Sequence, residues 1–265
     1  MKKFFASFAV VLSAGLLLTA CGQNRGNVDV APSLSVDSVG VMHRDSVGEF
    51  KLSADFAHGT DGVLVNAINE YIMEMFDGKY EGDYLDRKAL LDFCLAKEVK
   101  DYHEMWNGMG DMPREDMHLL HDARIKLTYE APKFATFTYT CESYMGGAHG
   151  SFVCLGQTFR KIDGRRFDWS LVDNYASEEF QQLIKDGLKE YFEVKTDEQL
   201  KENLMLENEY VIPLPQCPPL FEEKGITFVY QQYEIACYAA GLPTFTVPYE
   251  KILPLMSVTA KKLVK

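Results

Sequence analysis

The residues best suited to chemistry gather in one glycine-rich stretch, Tyr144-Met-Gly146-Gly147-Ala-His149-Gly150. His149 is the one imidazole in that stretch and would serve as a general base or as a group that reads a ligand. Glu142 precedes this stretch, and a second carboxylate, Glu234, follows Tyr233 in another aromatic segment. Two carboxylates are the minimum set for glycoside hydrolysis, provided that the fold holds them roughly 5–10 Å apart. No nucleophile stands at a diagnostic spacing from His149, so no catalytic residue is assigned. The bland counterparts are a turn histidine bonded to its own backbone and a Glu234 that accepts hydrogen bonds from loop amides. His118-x-x-His121, with Asp116 and Asp122 beside it, would set two imidazoles on one helical face. The flanks do not supply the remaining ligands of a zinc site, a solvated face is the simpler reading, and no metal or cofactor is expected. His43, His58 and His103 stand apart in the sequence and suggest no site. Tyr230, Tyr233, Tyr238 and Tyr249 would anchor a protein or a sugar ring if exposed, and would be ordinary core if buried. The candidate ligand-binding set is therefore Glu142, Tyr144, Gly146, Gly147, His149, Glu234 and Tyr238.

Those side chains need elements to hold them. The run from Phe137 to Phe159 alternates aromatic with small or polar types on either side of the glycine-rich bend, as two joined strands do. Gly146, Gly147 and Gly150 allow the positive φ that a tight reversal needs. Cys141 and Cys154 are equidistant from the Gly147-Ala148 centre, so a symmetric hairpin would face them across the strands. A disulfide would then pin the bend, with buried free thiols as the alternative.

Upstream, Val39 to Arg44 and Glu49 to Phe56 read as strands. A helix capped at Thr60 or Asp61 runs to Phe76, with Leu64, Ile68, Ile72 and Phe76 recurring every four residues. Leu85 to Trp106 is a second helix, Arg114 to His121 one or two further turns, and Ile125 to Tyr129 a strand. Downstream, Asp163-Gly164 signals a hairpin turn, and amphipathic helices follow from Ser177 to Phe192 and from Asp197 to Leu206. Val211 to Pro219 is a proline-rich loop. From Gly225 the pattern is strand, loop, strand, then a short helix entered at Pro248. The expected class is α+β, an antiparallel β-sheet with helices packed on one face.

The N-terminus is a targeting segment, residues 1–20: Lys2 and Lys3 precede an apolar run from Phe4 to Leu18 that is too short for an ordinary membrane span. Leu18-Thr19-Ala20-Cys21 resembles the bacterial lipobox. That resemblance implies cleavage before Cys21, lipidation of its thiol and new amine, and membrane attachment through the acyl chains. Residues 21–38 then form a lipidated, flexible tether. Glycine rather than aspartate at position 22 resembles the sorting pattern of outer-membrane lipoproteins facing the periplasm. Cleavage removes Lys2 and Lys3 and leaves 25 basic against 39 acidic residues, a net charge of −14. Such a surface argues against nucleic acid as a partner and permits steering of a basic protein, with simple solubility of an exported protein as the alternative.

Tyr144-x-Gly-Gly-Ala-His149-Gly, the Asp163-Gly hairpin and Phe167-Asp-Trp-Ser-Leu-Val-Asp173 together resemble an exported bacterial domain of unknown function, the RsiV-like family (DUF3298). Gly225-x-Thr-Phe-x-Tyr-x-x-Tyr-Glu234-Ile and Pro248-Tyr-Glu resemble it too. The resemblance spans residues 123–257, followed by a tail at 258–265. Residues 39–122 resemble the N-terminal module (DUF4163) that precedes this domain in those proteins and in some peptidoglycan deacetylases. In its best understood member the domain binds lysozyme outside the cell. Nothing here resembles that member's sigma-binding segment or a deacetylase catalytic domain. The resemblance thus implies a non-enzymatic envelope binding domain for a lysozyme-like protein or cell-wall glycan. A peptidoglycan hydrolase and a purely structural lipoprotein are the alternatives.

Overall fold

The computed structural model describes residues 33–59, 62–76, 79–110, 117–206 and 211–264. The targeting segment and Cys21 lie outside them. Six strands form one sheet in sequence order: β1 (Ser35–Arg44), β2 (Gly48–His58), β3 (Leu119–Glu130), β4 (Phe134–Tyr144), β5 (Ser151–Arg160) and the short β6 (Arg166–Phe167). All neighbours are antiparallel except β2 and β3, which run parallel. A parallel step requires a crossover, and two helices supply it. These are α1 (Gly62–Met75) and α2 (Arg87–Gly108), the latter started by Asp86, whose side chain accepts from the Ala89 amide.

The period-2 alternation decides which face the helices cover. Phe50, Leu52, Ala54 and Phe56 of β2 and Ala123 and Ile125 of β3 are fully buried in the core that includes Ile68 and Ile72 of α1 and Leu91 and Cys94 of α2. Strand β3 begins at Leu119 and runs through the expected boundary at residues 122 and 123, so both stretches share one sheet.

A second, three-stranded antiparallel sheet comprises β7 (Leu220–Phe221), β8 (Gly225–Val229) and β9 (Thr244–Pro248). Its first strand docks on the large sheet through polar joints. Thr136 donates to the Phe221 carbonyl (2.7 Å), Thr158 donates to the Pro219 carbonyl (3.1 Å), and the Phe221 amide donates back to Thr158 (3.1 Å). Helix α3 (Glu178–Tyr191), capped by Ser177, packs on β9, and α4 (Asp197–Asn203) starts with a Thr196–Gln199 capping box. With α5 (Tyr249–Ile252) and α6 (Val258–Val264), these cover a second core around Phe180, Phe228 and Tyr230.

Four expectations need correcting. Residues 35–38 are not tether: they pair with Asp55–His58 as the start of strand β1. The stretch expected as extra turns up to His121 is already strand from Leu119, held by parallel pairing with β2, while residues 111–116 lie outside the description. His118 and His121 therefore share no helical face. The C-terminal tail is the helix α6, which buries Ala260 and Leu263 in the second core.

The fourth concerns the cysteines. The β4–β5 register pairs Ser143 with Ser151, which centres the bend on Gly147, so Cys154 faces Thr140 and Cys141 faces Val153. A one-residue offset puts the two thiols on opposite sheet faces. Cys141 sits in the first core and Cys154 packs near Cys217 on the other side; both are free, and burial pushes both thiols up.

Candidate ligand-binding site

The bend at the end of β4 exists because Gly146 and Gly147 adopt φ of 87° and 101°, a conformation that costs a side chain energy and a glycine nothing. Tyr144 closes it by donating from its hydroxyl to the Gly147 carbonyl at 3.1 Å. His149 is exposed, and its Nδ1 donates to the Gly150 carbonyl at 2.9 Å, which places the proton on that nitrogen. Its ring stacks on Tyr238, from the 3₁₀ turn Tyr238–Ala240. The Tyr238 hydroxyl donates to the same Gly150 carbonyl at 2.9 Å. The distant tyrosine thus sets both the direction of the bend and the plane of its imidazole.

The second loop reaches the bend because it completes a strand edge. Strand β6 pairs with β5 only at Thr158 and Phe159, leaving backbone groups farther along β5 without a strand partner. Side-chain amides take that place. Gln231 accepts from the Cys154 amide (3.1 Å) and donates to the Cys154 carbonyl (2.6 Å), while Gln232 accepts from the Phe152 amide (3.2 Å). Covering an edge this way also blocks strand-to-strand association.

Glu234 holds the loop from inside. Its two carboxylate oxygens accept from the Gln216 and Gln231 amides, each at 2.6 Å. Burial raises its pKa, and the two backbone hydrogen bonds only partly offset that rise. These are the loop-amide bonds that the sequence suggested for it. Both oxygens are occupied, and Glu234 is not among the residues lining the cleft beside the bend.

That cleft has a volume of about 350 Å³, with Glu142, Tyr144, Phe152 and Tyr238 among its walls. Exposed apolar side chains surround it: Tyr233 at 63%, Met145 at 50% and Phe152 at 39%. Tyr233 has φ of 64°, the left-handed region that a bulky residue occupies at a cost. Its ring lies 5.9 Å from that of Tyr238. Of the other tyrosines, Tyr230 is fully buried and bonded to the Pro213 carbonyl, and Tyr249 bonds the Glu222 carbonyl; both belong to the core and its margin.

The structure thus unites Glu142, Tyr144, Gly146, Gly147, His149 and Tyr238, with Glu234 beneath them as a brace. Sequence reasoning named Tyr233 only as one of four tyrosines that would serve if exposed, and passed over Phe152 and the edge amides Gln231 and Gln232. The tandem glutamines between two tyrosines were the one available signal. It also missed His43 and His103, which the fold brings together on Asp45, the sole such convergence of potential metal ligands among the described residues.

Among the described residues no helix is long and apolar enough to cross a membrane. No curated protein matches the chain. A DUF3298-family protein of Bacteroides fragilis superposes with a TM-score of 0.67 at 19% identity, covering 88% of this chain and 98% of that one. A DUF3298-family protein of Pseudomonas aeruginosa does so with a TM-score of 0.58 at 12% identity, covering 86% and 96%. Residues 171–250 match the family described as "Protein of unknown function (DUF3298)". Residues 171–250 are thus similar to the DUF3298 family, and the fold is one that these two bacterial proteins share.

Proposed function

We propose that this protein is a lipid-anchored envelope binding protein that docks a basic, lysozyme-like protein through the bend at Tyr144–Gly150 and the loop carrying Tyr233 and Tyr238. The observation that carries the reading is the pre-set aromatic surface, in which His149 and Tyr238 are stacked and held on one carbonyl beside an exposed, backbone-strained Tyr233. Rigid, half-exposed tyrosines give contact area at little entropic cost, which is what a docking surface needs. The chain's net charge of −12 supplies long-range attraction to a basic partner.

The position of the bend supports the anchor. Ser33 and Leu34 hydrogen-bond the Glu130 carboxylate, at the end of β3 remote from the bend. Strand β4 spans about 34 Å between the two ends, at roughly 3.4 Å per residue. A tether from a lipidated Cys21 would thus join the described domain at the end opposite the bend, leaving the bend uncovered by Ser33 and Leu34.

Hydrolysis of peptidoglycan is the weaker reading, because the cleft has Glu142 but not Glu234 in its wall, and Glu234 is committed to two amides. A purely structural bend is also weaker, since His149 is exposed. The test is a calorimetric titration of the full chain with a C-type lysozyme at low and moderate salt, beside the Tyr144→Ala, His149→Ala double variant. Saturable binding that survives moderate salt and is lost in the variant is expected. Binding that vanishes in salt and ignores the variant overturns the site. No binding overturns the partner, and a digest of muropeptides then separates the glycan and hydrolase readings.

A further inference from the structure

The turn between β1 and β2 is closed by Asp45, whose Oδ1 accepts from the Val47 amide (2.8 Å) and the Gly48 amide (3.1 Å). Those two bonds fix the carboxylate and leave Oδ2 pointing outward. Onto that oxygen converge the Nε2 atoms of His43, at 2.8 Å from the end of β1, and His103, at 2.7 Å from α2. The three ligand atoms lie within 4.8 Å of one another. All three side chains keep solvent access, with 44%, 25% and 39% of their surface exposed for His43, Asp45 and His103. An ion would have a route in.

We infer that His43, Asp45 and His103 form a binding site for a divalent transition metal of the zinc class. Two imidazole nitrogens and one carboxylate oxygen are the donor set of open, three-ligand sites that hold a fourth ligand as water. The set is too rich in nitrogen and too poor in oxygen for calcium or magnesium. Capture needs little movement. In a tetrahedral site with metal–ligand bonds of about 2.0–2.1 Å, neighbouring ligand atoms stand roughly 3.3 Å apart, so each imidazole has to withdraw from Oδ2 by about half an ångström while the two nitrogens, within 4.8 Å of each other, settle to the same spacing. An imidazole that ligates through the Nε2 now facing Oδ2 carries its one proton on Nδ1, and a ring that held a second proton would release it to solvent as the ion binds. Asp45 is already oriented by its turn amides, the arrangement that outer-shell hydrogen bonds give to ligating carboxylates. The consequence is mechanical. A bound ion joins the β1–β2 turn to α2, fastening the crossover helix to the sheet it covers. This inference is independent of the docking function proposed above.

The test is equilibrium dialysis of the metal-stripped full chain against Zn²⁺, with thermal unfolding followed in parallel. The expected result is one equivalent bound, a midpoint that rises with zinc, and at least a tenfold loss of affinity in both His43→Gln and His103→Gln. Circular dichroism checks that the variants stay folded, and both positions are exposed enough for glutamine to be tolerated. His118→Gln is expected to bind as the unaltered chain does. Absence of stoichiometric binding overturns the inference. So does zinc uptake that persists in either the His43 or the His103 variant, or equal affinity for Ca²⁺.

Discussion

The imidazole of His149 lies over the phenol ring of Tyr238, with centroids 3.7 Å apart and planes 24° from parallel, and both side chains donate to the carbonyl of Gly150. A short helical turn far along the chain therefore fixes the conformation of a glycine-rich bend. Tyr238→Phe keeps the stack and loses one hydrogen bond, a cost of about 1 kcal/mol. Tyr238→Ala loses the stack as well, for roughly a further 0.5–1.5 kcal/mol. Urea denaturation reads the stability, and amide exchange at residues 146–150 is expected to accelerate in the alanine variant. Unchanged exchange would show that the glycines hold the bend without help.

Glu234 predicts a pH dependence of definite sign. Burial raises its pKa in the folded state above the ordinary glutamate value, despite two amide donors. The folded protein therefore binds more protons than the unfolded chain in the interval just above that value, and stability falls as pH rises through it. Glu234→Gln is expected to flatten this slope. It should also cost about 1–3 kcal/mol, because one amide oxygen replaces two acceptors for Gln216 and Gln231. Denaturation midpoints measured across the acidic range check both effects.

Gly187 stands inside α3, where alanine would ordinarily add roughly 1 kcal/mol of helix propensity. A methyl group there would fall 2.0 Å from the ring of Phe245 on β9. Gly187→Ala is expected to destabilise by a net 1–3 kcal/mol, approximately the cost of overpacking a filled core. A companion Phe245→Leu substitution, by making room, should recover part of the loss in a double-mutant cycle.

Lys161 is almost fully buried, and its ammonium meets the Glu130 carboxylate at 2.7 Å. Burial alone would push the Glu130 pKa up, but the bonds from Lys161, Leu34 and Ser33 win and hold it below the usual value. The stability this gives is present above the ordinary glutamate pKa and is lost as pH falls through the depressed one. Glu130→Ala would leave the lysine buried without its partner. The expected cost is about 3 kcal/mol, the low end for a broken buried pair because Glu130 keeps some solvent contact. Loosening of residues 33 and 34, read by proteolysis, should accompany it.

Much of the fold was legible locally. The four-residue spacing from Leu64 to Phe76, the Ser177 cap, the Asp163-Gly164 turn and Pro248 at the head of a short helix all rest on interactions within a few residues, and the structure follows them closely. The α+β class and the glycine-rich bend follow from the same local rules. What sequence could not give was register and convergence. The bend is centred on Gly147 rather than between Gly147 and Ala148, which shifts the pairing by one residue and separates Cys141 from Cys154, because side chains one residue apart face opposite ways. The parallel pairing of β2 with β3 depends on two intervening helices, so residues before His121 become strand through a partner about 70 positions away. The same long-range packing lays Tyr238 on His149 and carries His103 to the turn that His43 and Asp45 already share. Sequence alone determined which side chains were available and what local shape carried them. Only the tertiary structure decided which of them meet, because those meetings are set by sheet register and core packing between segments that have no local interaction to announce them.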